Sequence, residues 1–92
     1  MLLEMRQKID AIDRKILALL NERAALALKI GEEKKRLNLA VENKEREAAV
    51  MINLIAENMG PLLDRDVFEI YQSIIFACRN LQHQRRMQTP ID

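Results

Sequence analysis

The sequence predicts an all-α protein, because its apolar residues follow a helical spacing and its turn residues are scarce. The 92 residues include two glycines and two prolines, whereas a sheet protein needs frequent turn signals. Aromatic residues make up only 3% of the chain, so the core must be aliphatic. We expect a single domain over residues 1–92 with three helices, the first of them long.

The first helix is predicted to run from about Leu3 to Leu37. Its apolar residues recur at alternating spacings of four and three, as in a heptad repeat, at Met5, Ile9, Ile12, Ile16, Leu19, Leu26, Ile30 and Leu37. A helix of this length measures roughly 50 Å, and two shorter helices cannot cover both of its ends. The pattern therefore favours a homodimer in which the long helices of two chains pack along each other.

Two shorter helices are predicted to follow the long one. Asn43 is a favourable N-cap for the second helix, and the segment 58–61 (Asn-Met-Gly-Pro) should end it, with glycine as the C-cap and proline as the breaker. Asp64 is expected to cap the third helix. That helix should fray after Arg86, before Pro90.

The composition excludes several classes of protein. Fifteen basic and fourteen acidic residues give a net charge of +1, which disfavours a general nucleic-acid binder. One cysteine and one histidine leave no intrachain disulfide framework, no multi-cysteine zinc site and no histidine-rich metal site, so no metal is predicted. The chain contains neither the apolar core of a signal peptide nor a run of about 20 apolar residues for a membrane span. The expected compartment is therefore the cytoplasm.

Two cations interrupt the apolar seam of the first helix. The spacing predicts apolar residues at position 23 and at 33 or 34, where Arg23, Glu33 and Lys34 stand. Arg23 and Lys34 are eleven residues apart, so they lie within ~20° of each other on one face. Such cations either pair with acids or extend outward, or they form an anion site inside a helix bundle. Arg6 lies about 100° around the helix from Arg23 and could serve the other subunit of a dimer.

Further polar residues fall on the second and third helices. Arg46 and Glu47 lie in the first turn of the second helix, where a solvated surface run is the simpler interpretation. On the third helix, Gln82 shares a face with Cys78, which is expected to be a small buried packing residue. Taken together, these groups offer cations, one amide donor and one carboxylate acceptor. The set suits a small polyanion, and catalysis through orientation and electrostatics rather than through a nucleophile or a metal.

The order and spacing of these residues resemble the all-helical chorismate mutases. The resemblance covers residues 3 to 82 and rests on four segments: Leu3-x-x-Arg6-x-x-Ile9-Asp10-x-Ile12-Asp13-x-x-Ile16-x-x-Leu19-Leu20-x-x-Arg23, Lys29-Ile30-Gly31-x-x-Lys34, Glu45-Arg46-Glu47, and Ile70-Tyr71-Gln72-x-Ile74-Ile75-x-x-Cys78-x-x-Leu81-Gln82. It implies a three-helix protomer in an intertwined homodimer. It also implies the Claisen rearrangement of chorismate to prephenate, in aromatic amino-acid biosynthesis, without a cofactor.

The resemblance assigns the contacts with the substrate carboxylates and the ether oxygen to four residues. Arg23, and Arg6 from the partner subunit, would each bind a substrate carboxylate. Lys34 and Gln82 would donate hydrogen bonds to the ether oxygen. The catalytic residues expected on this basis are therefore Arg23, Lys34 and Gln82.

Four further residues would bind the substrate if the resemblance holds. Glu47 would hold the ring hydroxyl, and Arg46 would support the carboxylate and acid contacts. Asn43 stands where some relatives carry Asp, and it can still form a hydrogen bond. Cys78 stands where some relatives carry Ser, and a thiol is a poor donor, so we expect a wall residue there.

Three other functions fit parts of the pattern. An isochorismate–pyruvate lyase would share the fold and most of the cations, but the resemblance indicates that lyases lack the acid at Glu47. A catalytically inactive helical dimer would not need Arg23 and Lys34 in its seam. An arginine-rich nucleic-acid binder is disfavoured by the near-neutral charge and by the lack of aromatic residues for base stacking.

Overall fold

The computed structural model describes residues 1–88 and contains three helices. They are α1 (Leu2–Arg36), α2 (Lys44–Glu57) and α3 (Asp64–Met87). No strand occurs in residues 1–88, so the predicted all-α class is confirmed. The predicted bounds of the three helices are correct to within one or two residues. The predicted fraying before Pro90 concerns residues that lie outside this described range.

The long helix α1 is continuous because no proline interrupts it and its single glycine is tolerated. A Cβ atom added to Gly31 would lie 3.2 Å from Cγ of Gln82 on α3. The missing side chain therefore lets α3 approach the backbone of α1 closely. The helix ends before Asn38, whose φ of 59° is left-handed, a conformation that asparagine adopts more readily than most residues.

The predicted cap of α2 is confirmed at its start and wrong at its end. Asn43 has an extended backbone, and its side chain accepts a hydrogen bond from the Arg46 backbone N–H at 3.0 Å. The C-cap is Asn58 rather than Gly60. Gly60 lies two residues further on with φ 74°, and its N–H donates to Oδ1 of Asn58 at 3.1 Å. The glycine therefore shapes the turn after the cap instead of forming the cap.

The prediction that Asp64 caps α3 is also wrong. Leu63 is the N-cap and makes no side-chain cap bond, while Asp64 is the first helical residue. Nδ2 of Asn58 donates to Oδ1 of Asp64 at 2.8 Å and to the Leu62 carbonyl at 2.9 Å. The carboxylate is thus engaged in closing the α2–α3 turn, although its charge still complements the helix dipole.

The helix α3 forms the centre of the fold, since both α1 and α2 pack on it. Within the described residues, α1 and α2 make no close backbone contact with each other. The buried apolar residues are few: Ala27, Val41, Met51, Val67 and Cys78. A core of this size leaves much apolar surface uncovered.

The uncovered surface is concentrated on the first half of α1. Met5, Ile9, Ile12, Ile16 and Leu19 are all at least 48% exposed. The described chain measures 59 × 29 × 15 Å with a radius of gyration of 16.6 Å, whereas a compact chain of this length has about 12 Å. One chain therefore leaves the heptad seam in water, as the length of α1 requires. The homodimer that would bury the seam stays a prediction.

None of the helices in residues 1–88 combines the length and the apolar character that crossing a lipid bilayer requires.

The cap at Asn43 should stabilise the protein measurably. Asn43→Ala removes the acceptor of the Arg46 N–H and should lower the free energy of unfolding by about 1 kcal/mol. Urea denaturation at a fixed chain concentration measures the change. The matched control is Asn53→Ala, an exposed position inside α2, which should leave stability unchanged or slightly raised. Equal losses in the two variants would contradict the cap's role.

Candidate active site

A cavity of about 290 Å³ lies between the three helices, near the end of α1. Its apolar wall comes from all three helices and from the loop after α1: Leu26, Ala27, Ile30, Val41, Val50, Ile75 and Cys78. Its polar lining consists of Arg23, Lys34, Asn43, Arg46, Glu47, Arg79 and Gln82. An apolar wall with a few converging polar groups is typical of a small-molecule site.

The cavity brings together the site residues expected on α1, α2 and α3, with one exception. Arg23 and Lys34 line it from α1, as their shared face predicted, and the expected residues of α2 and α3 also line it. Arg6 does not. It precedes Arg23 by seventeen residues on the same helix, which is about 25 Å along the axis. Arg6 therefore cannot reach the cavity of its own chain.

Lys34 is held at the junction of α1 and the following loop. Its Nζ donates to the Val41 carbonyl at 2.8 Å, and the side chain is half-buried. A lysine ammonium carries three donors, so two remain for a ligand or water. The single hydrogen bond fixes the ammonium beside the cavity without neutralising its charge.

Gln82 lies across the backbone of α1. Its Nε2 donates to the Ala27 carbonyl at 2.6 Å, and its side chain passes Gly31 at the close approach of α1 and α3. A primary amide has two N–H donors, so one stays available to the cavity. Contact with α1 thus sets the orientation of this amide.

Glu47 forms an ion pair that the sequence did not predict. Nη1 of Arg79 donates to both carboxylate oxygens of Glu47, at 2.9 and 3.1 Å, and joins α2 to α3. The Arg79 guanidinium also lies 5.9 Å from the centre of the Phe76 ring. Arg79 stands four residues after Ile75 and three before Gln82. That spacing places Arg79 on the cavity face of α3. The search for charged residues in the apolar seam of α1 could not find it, because Arg79 lies on another helix.

The remaining expected residues lie at the mouth and the wall of the cavity. Asn43 and Arg46 are exposed, and the Asn43 oxygen already accepts the cap hydrogen bond, which leaves its amide N–H groups for a ligand. Cys78 is a buried free cysteine, as expected for a packing residue. Arg86, near the end of α3, is half-buried, and its Nη1 donates to the Leu39 carbonyl at 3.0 Å.

The cavity carries an excess of positive charge. Four cations and one carboxylate line it, and the carboxylate pairs with Arg79. In residues 1–88, neither Arg23 nor Arg46 forms an ion pair with a carboxylate. No group of three His, Cys, Asp or Glu side chains in this range could hold a metal ion. The arrangement can therefore bind a small anion with several negative or acceptor groups.

Comparison with known proteins identifies the family. The family described as chorismate mutase type II matches residues 5–83. A bifunctional chorismate mutase/prephenate dehydratase from Aquifex aeolicus is 41% identical over 83 residues, which are 86% of this chain and 23% of that protein. The chain therefore spans about a quarter of the length of such bifunctional relatives.

Two shorter proteins match along most of their length. A chorismate mutase from Methanocaldococcus jannaschii is 33% identical, over 96% of this chain and 90% of that protein. A chorismate mutase structure (form II) from Thermus thermophilus superimposes with a TM-score of 0.84 and 33% identity, and covers 86% of this chain and 90% of that one. The chain belongs to the chorismate mutase type II family.

Proposed function

We propose that this chain catalyses the Claisen rearrangement of chorismate to prephenate in aromatic amino-acid biosynthesis. The observation that carries the proposal is the cavity in which Arg23, Lys34, Glu47 and Gln82 converge from three helices. Chorismate presents two carboxylates, an ether oxygen and a ring hydroxyl. The cations match the carboxylates, the amide donor matches the ether oxygen, and the carboxylate acceptor matches the ring hydroxyl. Membership of the family supports the same reaction.

The reaction requires orientation and electrostatic stabilisation from the protein. Within one molecule the ether C–O bond breaks and a C–C bond forms, with no proton transfer and no cofactor. A cavity that holds the flexible substrate in a folded, chair-like conformation lowers the entropic part of the barrier. Negative charge grows on the ether oxygen as its bond breaks, so donors aimed at that oxygen favour the transition state over the ground state.

Lys34 and Gln82 are the donors that we assign to the ether oxygen. Each is anchored by one hydrogen bond to a main-chain carbonyl, at 2.8 Å for Lys34 and 2.6 Å for Gln82, and each keeps at least one further N–H. Donors fixed in this way need little reorganisation during the reaction. Arg23 would bind a carboxylate, Arg46 would support the carboxylate and acid contacts, and Glu47 would hold the ring hydroxyl.

We further propose that the active unit is a homodimer whose pockets are shared. The exposed seam on the first half of α1 supports association, because a second copy can cover it. Arg6 lies on that half of α1, about 25 Å from Arg23. In a dimer with two-fold symmetry it would bind the substrate in the neighbouring chain's cavity. The cytoplasmic location expected from the sequence stays a prediction.

The main competing activity is an isochorismate–pyruvate lyase of the same fold. Glu47 supports the mutase, because an ionised acceptor at the ring hydroxyl is the feature that the lyases are expected to lack. The carboxylate is anchored by Arg79 on the cavity wall. A catalytically inactive dimer is disfavoured by Arg23 and Arg46, which line the same cavity and form no ion pair within residues 1–88.

Incubation with chorismate and with isochorismate separately tests the activity. Chorismate should yield prephenate, identified by mass and by its acid conversion to phenylpyruvate, and isochorismate should yield no pyruvate. Arg23→Ala should lose at least ~10²-fold in kcat/KM because a cation at the substrate is removed. The matched control is Arg65→Ala, an exposed arginine of α3 outside the cavity lining. Pyruvate release without prephenate would favour the lyase.

The shared pocket predicts complementation between two inactive variants. Arg6→Ala and Arg23→Ala should each be nearly inactive, because each pocket loses one carboxylate ligand. Unfolded together and refolded as an equal mixture, they should recover about a quarter of wild-type activity, since half of the dimers would contain one intact pocket. The measurement is kcat per chain with saturating chorismate.

Two controls accompany the complementation experiment. Sedimentation at micromolar concentration should give twice the chain mass for the wild type and for both variants. Refolding the wild type with the double variant Arg6→Ala/Arg23→Ala should create no intact pocket in mixed dimers. A mixture of the single variants that stays inactive would contradict the placement of Arg6 in the neighbouring chain's pocket.

Gln82 should determine how activity depends on pH. The amide donates at every ordinary pH, so wild-type activity should vary little around neutrality. In Gln82→Glu the donor requires a protonated carboxyl group, and the usual pKa of glutamate is about 4.3. The ionised form would repel the charge on the ether oxygen and attract Lys34. The variant should be poor at about pH 7.5 and recover as the pH falls toward 5.

The control for this experiment is Gln82→Ala, which has no donor at any pH. It should lose ~10²-fold or more in kcat/KM across the whole range. Wild-type activity of Gln82→Glu near neutral pH would leave Lys34 as the only donor to the ether oxygen.

A further inference from the structure

The ion pair between Glu47 and Arg79 is the most enclosed ion pair in residues 1–88. The Arg79 side chain exposes 27% of its surface and the Glu47 side chain 29%, whereas the other three pairs expose about half or more of each side chain. Exposed ion pairs contribute little because water and salt screen them. The enclosed pair therefore restricts its two side chains more than the surface pairs do.

Arg79 is fixed on two sides. Its Nη1 bonds to both oxygens of Glu47, and its guanidinium lies 5.9 Å from the centre of the Phe76 ring one turn earlier on α3. A cation at this distance from an aromatic ring is attracted to it. The guanidinium therefore approaches the carboxylate from the α3 side, and each carboxylate oxygen keeps further acceptor capacity.

Glu47 is the only carboxylate among the described residues that line the cavity, and several cations compete for it. Arg23 and Lys34 face the cavity from α1, Arg46 from α2 and Arg79 from α3. Opposite charges a few ångströms apart attract strongly in a partly enclosed site. Without a counter-ion of its own, the carboxylate would turn toward a cation that the substrate needs.

We propose that Arg79 is a positioning residue, which orients the Glu47 carboxylate toward the substrate hydroxyl and keeps it from neutralising the substrate-binding cations. The proposal deepens the proposed mutase function and rests on it. Arg79 acts here through Glu47 and not by contact with the substrate. The consequence is that Arg79 matters for activity only while position 47 carries a carboxylate.

A double-mutant cycle on kcat/KM for chorismate tests this consequence. The four proteins are the wild type, Arg79→Gln, Glu47→Gln and the double variant. Arg79→Gln should lower kcat/KM by about tenfold or more, since a misplaced contact group has an effect of this size. In the Glu47→Gln background the same change should alter kcat/KM by no more than about twofold. Arg79→Lys, which keeps the charge without the planar geometry, should recover part of the loss.

The controls separate positioning from folding and from the activity itself. Arg85→Gln breaks a pair with Glu32 on the exposed surface and should leave kcat/KM unchanged. Urea denaturation of every variant identifies losses that arise from unfolding. If Arg79→Gln does not fold, a cycle with Arg79→Lys and Glu47→Gln replaces it, again with a smaller effect in the Glu47→Gln background.

Two outcomes would overturn the proposal. Equal losses from the Arg79 change in both backgrounds would mean that Arg79 contacts the substrate or only supports the fold. No loss in Arg79→Gln would mean that Glu47 needs no counter-ion. Both outcomes leave the mutase function intact, whereas a wild-type protein that does not convert chorismate would remove the proposed function and the positioning role together.

Discussion

The length of α1 is the constraint on which the rest of the structure depends. A helix of 35 residues in a chain of this size has more apolar surface than α2 and α3 can cover. The chain packs α3 against the second half of α1, where Leu26 and Ile30 are still more than half exposed, and leaves the first half bare. The bare half carries Arg6 and the N-terminal part of the apolar seam, so apolar residues that one chain cannot bury lie beside the cation that its own cavity cannot use. In the proposed dimer, a single contact would resolve both problems.

The crossing of α1 and α3 determines the geometry of the cavity. Gly31 leaves room for the Gln82 side chain against α1, and the amide of Gln82 reaches the Ala27 carbonyl at 2.6 Å. Lys34 follows Gly31 by about one turn, and it lines the same cavity as Gln82. Helix propensity alone would favour alanine over glycine at position 31 by about 1 kcal/mol. The room that the Gln82 side chain takes beside Gly31 accounts for a glycine at this position.

Local spacing predicted part of the cavity, because side chains eleven or four residues apart on one helix share a face whatever the tertiary structure, whereas Arg46 and Glu47 were expected there from the resemblance. Arg23 and Lys34, and likewise Cys78 and Gln82, were found in this way. Arg79, the partner of Glu47, could not be found from spacing along one helix, since the pair depends on how α2 crosses α3. The wrong caps have a similar cause. Asp64 and Gly60 were assigned by residue type, but the side chain of Asn58 contacts both residues and decides the geometry of the turn.

The charge of the cavity links binding to association. Four cations around one carboxylate repel each other in the empty site, and this repulsion disfavours the folded chain. Burial of the apolar seam of α1 is the favourable contribution available to offset it. In the proposed dimer that burial also adds Arg6 to each cavity and so increases the repulsion, which only an anionic ligand relieves. A substrate with two carboxylates would then stabilise the dimer by binding in its cavities. Among these cations, Glu47 can accept a hydrogen bond from the substrate hydroxyl only if a counter-ion already pairs with its carboxylate. Arg79 is that counter-ion, and it is not one of the proposed substrate-binding residues.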